Sequence, residues 1–304
     1  MPRVFSDTEL REAGLRSVDG LKEALAASDA SRASAMAKRL RREVLAMQAN
    51  YQGWEVGLLD QLEERGGAAA REVVSARLDA LHPRPADEPE DLVNAWRETA
   101  RALRDAIEAG DAAEASRLGE QLHSEGLARH DRGMARVLRL LSELGTRFGD
   151  DAVEAALAVV MRSDMLGDAG FRERAEALMH FTRVHLQPFA LEEDDEKLTF
   201  RCPVCPSGGR LLNEGHYDGP DAGYTVRGPR PLTWGRDALP VYCCHEPAME
   251  QSSIEMSGSP LFVVEPATHL GQEPCLTYLY KNPADVPERY YTRLGLRKPK
   301  PDSG

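Results

Sequence analysis

Two short clusters of cysteine and histidine carry the residues best suited to chemistry. Cys202 and Cys205 are separated by two residues and precede a Pro-Ser-Gly-Gly turn, and Cys243, Cys244 and His245 form the second cluster. Zinc prefers thiolate sulfur and imidazole nitrogen in a tetrahedral arrangement, and two cysteines at this spacing can bind one ion from a single tight turn. We therefore predict a Zn²⁺ site with Cys202, Cys205, Cys243 and His245 as ligands.

The choice of ligand within the second cluster depends on local structure. The segment LPVYC before it is typical of a strand, and neighbouring residues on a strand point to opposite faces. Cys243 and His245 then form the chelating pair, although Cys244 in place of Cys243 remains open. Cys275 lies inside the strand-like run CLTYLY, where we expect it to be a small core residue.

The sequence leaves the role of the zinc open. A site with three cysteines and one histidine is closed and structural, whereas a site with three protein ligands keeps a position for water or substrate. If Cys202 is not a ligand, the site becomes a catalytic one, with His185 or His216 as candidate neighbours.

A polar stripe in the helical region is the second candidate for chemistry. Gly119, His123, Gly126, His130 and Gly133 follow one another at steps of four, three, four and three, which places them on one face of a helix. Three glycines weaken a helix by roughly 1 kcal/mol each relative to alanine, so the helix needs the room that they leave.

The helix at the equivalent positions of the first repeat also has polar residues along one face. If the two helices pack together, their polar residues would line a shared cavity. We predict His130, Asp131 and His123 as catalytic residues there. We expect a carboxylate-bearing small molecule, because arginine suits a carboxylate and histidine acts as acid or base. The predicted substrate-binding residues are Arg41, Gln48, Tyr51 and, near the domain interface, His185. The alternatives are that the glycines serve only close helix packing, or that the helix turns its histidines to solvent.

The helical region contains a diverged internal repeat. Residues 21–80 align with 103–162 at a constant offset of 82, which pairs Asp29 with Asp111 and Leu40 with Leu122. A match over about sixty residues without a gap predicts two copies of one helical hairpin unit.

The chain is predicted to have an α+β fold with a helical N-terminal part and a small β-rich zinc-binding domain. Alanine, leucine, glutamate and arginine at helical spacing dominate to about residue 180, whereas short β-like runs begin near residue 197. A Pro-rich linker over 82–91 divides the helical part. The predicted units are 1–82 and 83–190, which form one helical domain, and 191–304.

Helix starts and charged runs add local expectations. Ser6 followed by Glu9 predicts a capping box at the first helix. The acidic run over 192–196 is expected to be a solvated turn.

Composition limits the partners and the compartment. The net charge of −12 among 304 residues disfavours nucleic acid and anionic membrane surfaces, which select basic faces. There is no apolar run of about 18 residues, and the start MPRVFSDTELREAG lacks the apolar core of a secretory signal, so we expect a cytoplasmic protein. Five cysteines, four of them in two clusters, fit metal binding in a reducing compartment.

Three stretches, 185–211, 239–246 and 280–296, resemble the C-terminal half of an uncharacterised bacterial protein family. That family has a helical half with a His-Asp pair, a Pro-Cys-Gly-Ser-Gly-Gly-Arg-like turn and a Tyr-Cys-x-His-Cys-like cluster. The matching positions of this chain are His130-Asp131, Cys205 with 207–210, and Tyr242-Cys243 with His245.

Two departures from the family pattern concern the metal site. Cys202 is an additional cysteine before the turn, and Glu246 stands where the second cysteine of the cluster would be. Cys202 could replace that thiolate. The resemblance supports zinc and a bacterial origin and implies no established activity.

We therefore predict a zinc-containing enzyme of bacterial small-molecule metabolism, in which a specialised biosynthetic pathway is one setting. Its substrate would bind between the helical repeats and the zinc domain. The alternative is a non-catalytic, zinc-stabilised binding or assembly module. The sequence has no nucleotide-binding glycine loop, nucleophile elbow or His-Glu-x-x-His helix, and it leaves open whether the chain forms a homodimer.

Overall fold

The computed structural model describes residues 2–162 and 169–299. Its N-terminal part is helical. The helices of this part are α1 (Asp7–Gly14), α2 (Ser17–Ala26), α3 (Ala30–Leu81), α4 (Leu92–Glu108), α5 (Ala112–Phe148), α6 (Asp150–Val160) and α7 (Phe171–Arg183).

The C-terminal part contains a small antiparallel sheet with helices around it. Its strands are β1 (Ala190–Glu193), β2 (Lys197–Arg201), β3 (Thr225–Arg227), β4 (Ala238–Pro240), β5 (Val263–Glu265) and β6 (Leu276–Tyr280). One sheet has the order β1-β2-β6-β5, and β3 pairs with β4. The helices are α8 (Gly208–Asn213), α9 (His245–Ser257) and α10 (Arg289–Thr292). The mostly helical chain with a small C-terminal sheet confirms the α+β class.

The strand expected over LPVYC is shorter than predicted. β4 ends at Pro240, and Val241–Cys244 form a turn of 3₁₀ helix that leads directly into α9. Proline fixes its own backbone and cannot donate to a sheet, so a short edge strand ends readily there. The residues of the second Cys/His cluster therefore stand at a helix start and not on a strand.

Polar caps set where the helices begin. At α1, Ser6 and Glu9 form the predicted capping box, in which each side chain accepts from the backbone N–H of the other residue. Asp29 and Asp111 cap α3 and α5 by accepting from the backbone N–H three residues later. The predicted linker is confirmed as the gap between α3 and α4.

The order of helices recurs at an offset of 82 residues. We call α2 with α3 the first helical unit and α4 to α6 the second. The long helix starts at Ala30 in the first unit and Ala112 in the second. Gly67 and Gly149 then break the helical path with φ of 75° and 83° and ψ of 174° and −179°, a backbone region that is essentially restricted to glycine.

The glycines of the α5 stripe lie where neighbouring helices approach. A Cβ at Gly119 would overlap the Leu21 side chain, and one at Gly126 would stand 2.6 Å from Val44 Cγ1. Gly133 lies against the Tyr51 ring in the same way. The room left by these glycines is filled by side chains of α2 and α3, which is the close-packing alternative.

The helical part and the C-terminal part share one apolar core. The largest buried cluster includes Leu58 and Leu141 from the helices, Leu198 from the sheet and Tyr242 beside them. Burial of such a continuous apolar surface fixes how the two parts meet.

The acidic run contains one carboxylate that is not solvated. The Glu193 side chain is fully buried and lies 2.9 Å from Lys281 Nζ. It also accepts the backbone N–H groups of Val4 and Phe5 at 2.8 and 2.9 Å. The expectation of a solvated turn is wrong for Glu193, because its partners come from both ends of the chain.

Among the described helices, none combines the length and the apolar character needed to cross a membrane.

Candidate functional site

A cavity of about 100 Å³ lies between the end of α7, the turn after β2, the start of α9 and the face of the four-stranded sheet. We call it the thiol cavity. Its lining includes the four predicted zinc ligands Cys202, Cys205, Cys243 and His245, and three further groups able to bind a metal. These three are His185, Glu246 and Cys275.

Local packing holds two of the thiols at the turn after β2. The Gly209 N–H donates to Cys205 Sγ at 3.3 Å. A Cβ at Gly208 would overlap Cys243 Sγ, so the second cluster reaches the turn only because residue 208 lacks a side chain. The glycines after Cys205 therefore allow the two clusters to meet.

Cys243 and Cys244 point to different surroundings. Cys243 lines the thiol cavity, whereas Cys244 is fully buried elsewhere and lies 3.6 Å from the Pro240 carbonyl oxygen. The expected divergence of the two side chains is present, but it arises from the 3₁₀ turn.

Cys275 and Glu246 were missed as site residues. Cys275 lines the cavity at the start of β6, and its Sγ accepts the Ala267 N–H at 3.4 Å. The expectation that it is a core hydrophobe followed from its apolar neighbours. The pairing of β6 with β2 places it near the other thiols, and spacing along the chain contains no signal of this.

Burial keeps the thiols protonated in the protein without a cation. It raises the pKa of Cys205 to about 11 and that of Cys202 to about 12. Burial also raises the pKa of Cys243 well above its ordinary value. A bound cation reverses this preference, because a coordinating thiol is deprotonated.

His245 is oriented for metal binding by its backbone. Its Nδ1–H donates to the Tyr242 carbonyl oxygen at 2.6 Å, which leaves Nε2 to face the Glu246 carboxylate at 3.2 Å. Burial lowers the pKa of His245, but the negative charge of Glu246, the hydrogen bond to its carboxylate and the hydrogen bond to the Tyr242 carbonyl together raise it overall. A histidine whose other nitrogen is held by a carbonyl is the usual form of a metal ligand.

His185, His130 and Asp131 form a hydrogen-bonded series that ends at the cavity, which we call the histidine chain. His185 Nδ1 lies 2.9 Å from His130 Nε2, and His130 Nδ1 lies 3.0 Å from Asp131 Oδ1. Arg210 donates to the other Asp131 oxygen at 2.6 Å and so holds the carboxylate in place. Burial lowers the pKa of both His130 and His185, which favours neutral rings.

Tyr51 is, after His185, the second predicted substrate-binding residue that contacts His130. Its hydroxyl lies 3.2 Å from His130 Nε2 and 3.3 Å from the Tyr242 hydroxyl. Gln48 is buried but turns to a different partner and accepts from Arg129 Nε at 2.9 Å.

The structure does not bring Arg41 and His123 into this site. Arg41 is exposed to solvent, and His123 lies in an open surface groove beside Arg16 and Asp19. The predicted cavity between the two polar stripes is filled by close helix packing. The stripes repeat every 3.5 residues and an α-helix every 3.6, so only part of each can face one neighbour.

The residues of the thiol cavity fit a zinc ion by their chemistry. Thiolates and imidazoles are the donors that zinc prefers, and both cavity histidines have Nδ1 engaged by a second group. Within residues 2–162 and 169–299, no three His, Cys, Asp or Glu side chains already hold their donor atoms in a metal-binding arrangement. Binding would therefore require the thiols to rotate.

Comparison with protein-family models, with curated protein sequences and with solved structures finds no match to this chain.

Proposed function

We propose that the protein is a zinc-containing enzyme that acts on a small substrate in the thiol cavity. The observation that carries the proposal is the convergence of four thiols, two imidazoles and one carboxylate from four separate chain segments on one cavity. Seven such groups exceed the four donors of a closed tetrahedral zinc site. The excess leaves groups free for chemistry beside the metal.

The proposed zinc ligands of the enzyme are Cys205, Cys243 and His245. Cys205 and His245 are oriented by backbone hydrogen bonds, and Cys243 packs on Gly208. Cys202 is the fourth predicted ligand. If Cys202 does not bind the zinc, the fourth position of the ion would be open to a substrate or a water molecule, as in catalytic sites.

The substrate must be small at its reacting end. A bound water needs about 10–15 Å³ of cavity volume on this measure, so a cavity of about 100 Å³ has room for a small group of several heavy atoms. Arg41 is exposed and does not line the cavity, so it does not bind the expected carboxylate group there. The described lining of the cavity contains no lysine or arginine, so the zinc itself would attract the anionic group.

A zinc-stabilised binding module is the second candidate. Val204, between Cys202 and Cys205, is 56% exposed and offers an apolar contact at the tip of the metal-binding turn. In this case the four predicted ligands close the site and the zinc only holds the turn to α9.

Zinc quantification and X-ray absorption on the full-length protein test both candidates. The enzyme requires one zinc per chain with two sulfurs, one nitrogen and one further light-atom ligand, which formate displaces or perturbs. Three sulfurs and one nitrogen, unchanged by formate, overturn the enzyme in favour of the module. Absence of stoichiometric zinc overturns both.

Cys243→Ser and Cys244→Ser are the matched variants, because the two thiols are adjacent in sequence but only Cys243 lines the cavity. We expect Cys243→Ser to lose zinc and Cys244→Ser to retain it. Equal behaviour of the two variants contradicts the assigned ligand set.

We also infer that the two helical units descend from one duplicated hairpin, and that 191–304 forms the zinc-binding domain. The recurrence of the aspartate caps and of the Gly67 and Gly149 backbone at one offset supports the duplication. Membership of the bacterial family that the sequence resembles, and a role in its metabolism, remain predictions. Homologous sequences that keep both glycines and both aspartate caps would support the inferred duplication. Homologues that contain only one unit would indicate when the duplication occurred.

A further inference from the structure

His185 differs from the proposed zinc ligands because it comes from the helical part and is held by the histidine chain. It lines the thiol cavity, and its Nδ1 lies 2.9 Å from His130 Nε2. His130 is fully buried and shows no exposed surface. The question is which of these ring nitrogens carry protons.

The carboxylate at the far end of the chain decides the protonation. Asp131 accepts a hydrogen bond from Arg210 and, as a carboxylate, can only accept from His130 Nδ1, which must therefore carry a proton. A buried neutral His130 then has a bare Nε2. Two bare nitrogens at 2.9 Å would repel each other, so the proton between the rings belongs to His185 Nδ1.

We infer that His185 Nε2 is the proton acceptor of the thiol cavity, and that His130 and Asp131 are positioning residues that fix this tautomer. The inference rests on the proposed function, in that it names the group that would work beside the zinc. It moves the acid–base role from His130, which is enclosed by protein, to His185, which borders the cavity.

The proposed step is a single proton transfer to His185 Nε2. An O–H, N–H or S–H group in the cavity gives its proton to His185 Nε2, and the bonding electron pair stays on the donor atom. The ring becomes an imidazolium, whose Nδ1–H strengthens its bond to His130 Nε2. His130 in turn donates more strongly to Asp131, so the positive charge is stabilised across the whole chain.

Tyr51 provides a competing contact and a useful control. Its hydroxyl lies 3.2 Å from His130 Nε2 but can donate to the Tyr242 hydroxyl at 3.3 Å instead. The shorter distance belongs to His185. Tyr51→Phe should therefore leave the tautomers of the histidine chain unchanged.

Long-range ¹⁵N–¹H NMR on histidine-labelled, full-length protein tests the inference, because the ¹⁵N shifts distinguish protonated from bare ring nitrogens. We expect protonated Nδ1 and bare Nε2 for both His130 and His185 in the wild type. Asp131→Asn should shift His185 toward the Nε2-protonated form, since the chain loses its obligatory acceptor. His245 should not change, because the Tyr242 carbonyl fixes its Nδ1 proton independently.

The failure of this inference is separable from failure of the proposed function. A His185 with protonated Nε2 in the wild type, or one unaffected by Asp131→Asn, overturns the inference even if zinc is present in full. Zinc analysis on the same samples reports on the proposed function alone. The wild-type spectrum keeps the test decisive if Asp131→Asn does not fold.

Discussion

The two helical units have the same succession of elements but use equivalent positions differently. At an offset of 82, Gln48 of the first unit corresponds to His130 of the second, and both side chains are buried. Gln48 accepts from an arginine, whereas His130 links Asp131 to His185. One backbone position thus forms a hydrogen bond to an arginine in one unit and belongs to the candidate site in the other.

Both units contact the C-terminal part, and their polar partners there differ. In the first unit the Tyr51 hydroxyl lies 3.3 Å from the Tyr242 hydroxyl, and Arg77 donates to Asp221. The second unit contacts the C-terminal part through polar groups: Arg210 donates to Asp131, and Tyr224 donates through its N–H to Ser142 and through its hydroxyl to Asp150. Neighbours outside the unit therefore complete the candidate site, and the repeated helices supply the frame.

Replacement of His130 by glutamine, the residue at the equivalent position of the first unit, should have the largest effect on stability. His130→Gln gives the second unit the side chain of the first and breaks hydrogen bonds to Asp131 and His185. We expect a loss of about 3 kcal/mol in the free energy of unfolding, because a fully buried ring is replaced and two hydrogen bonds, to His185 and to the half-buried Asp131, are lost. Gln48→Ala should lose about 1 kcal/mol in the same urea titration. Equal losses would mean that the two positions are equivalent in packing as well as in sequence.

Glycines at close and open positions should respond in opposite directions. Gly126→Ala places a Cβ 2.6 Å from the stiff Val44 side chain, so we expect a loss of about 2 kcal/mol. Gly53 has nothing within 4 Å and stands in a helix, so Gly53→Ala should gain about 0.5–1 kcal/mol. Denaturation midpoints measure both. A neutral Gly126→Ala would show that α3 and α5 can move apart freely.

Gly67 and Gly149, which break the helical path at equivalent positions, should instead respond alike to substitution. Gly67→Ala and Gly149→Ala meet no neighbouring atom, but each forces alanine into a backbone region that side chains disfavour. We expect each substitution to lose about 1–2 kcal/mol, with the two values close to each other. Thermal unfolding of both variants checks this, and a large difference would break the structural equivalence of the units.

Glu43, a buried glutamate of the first unit, should affect how the free energy of unfolding changes with pH. Burial raises the pKa of Glu43, so the folded state holds this proton more tightly than the unfolded state. Its contribution is therefore full at pH below the ordinary pKa and declines as the pH rises through the raised value. Glu43→Gln should flatten the unfolding free energy over that interval. Glu125→Gln, at the exposed equivalent position, controls for the change in charge.

Local patterns of the sequence were reliable guides to secondary structure. The capping box, the Pro-rich linker and the β-like runs that begin near 197 and 275 all appear in the structure. Each depends on contacts between residues that are close in sequence. The strand expected over LPVYC fails because the chain turns at Pro240, where edge position and helix start outweigh β propensity.

The candidate site was predictable where its members share a segment. The Cys-x-x-Cys turn and the Cys243/His245 pair were found by spacing, and all four residues line one cavity. Cys275 was not found, because it reaches the cavity through the pairing of β6 with β2. Arg41 and His123 were placed together by a periodicity that cannot report which arc of a helix meets its neighbour.

The sequence by itself determined the start of the first helix, the break over 82–91, the recurrence at an offset of 82 and the identity of the zinc-type donors, since these follow from residue types and spacing along the chain. Only the tertiary structure decided that His185 from the end of the helical part meets thiols from three other segments. It also decided that Glu193 is buried between both chain ends. Contacts across long sequence separations depend on how apolar faces pack, and packing leaves no trace in local spacing.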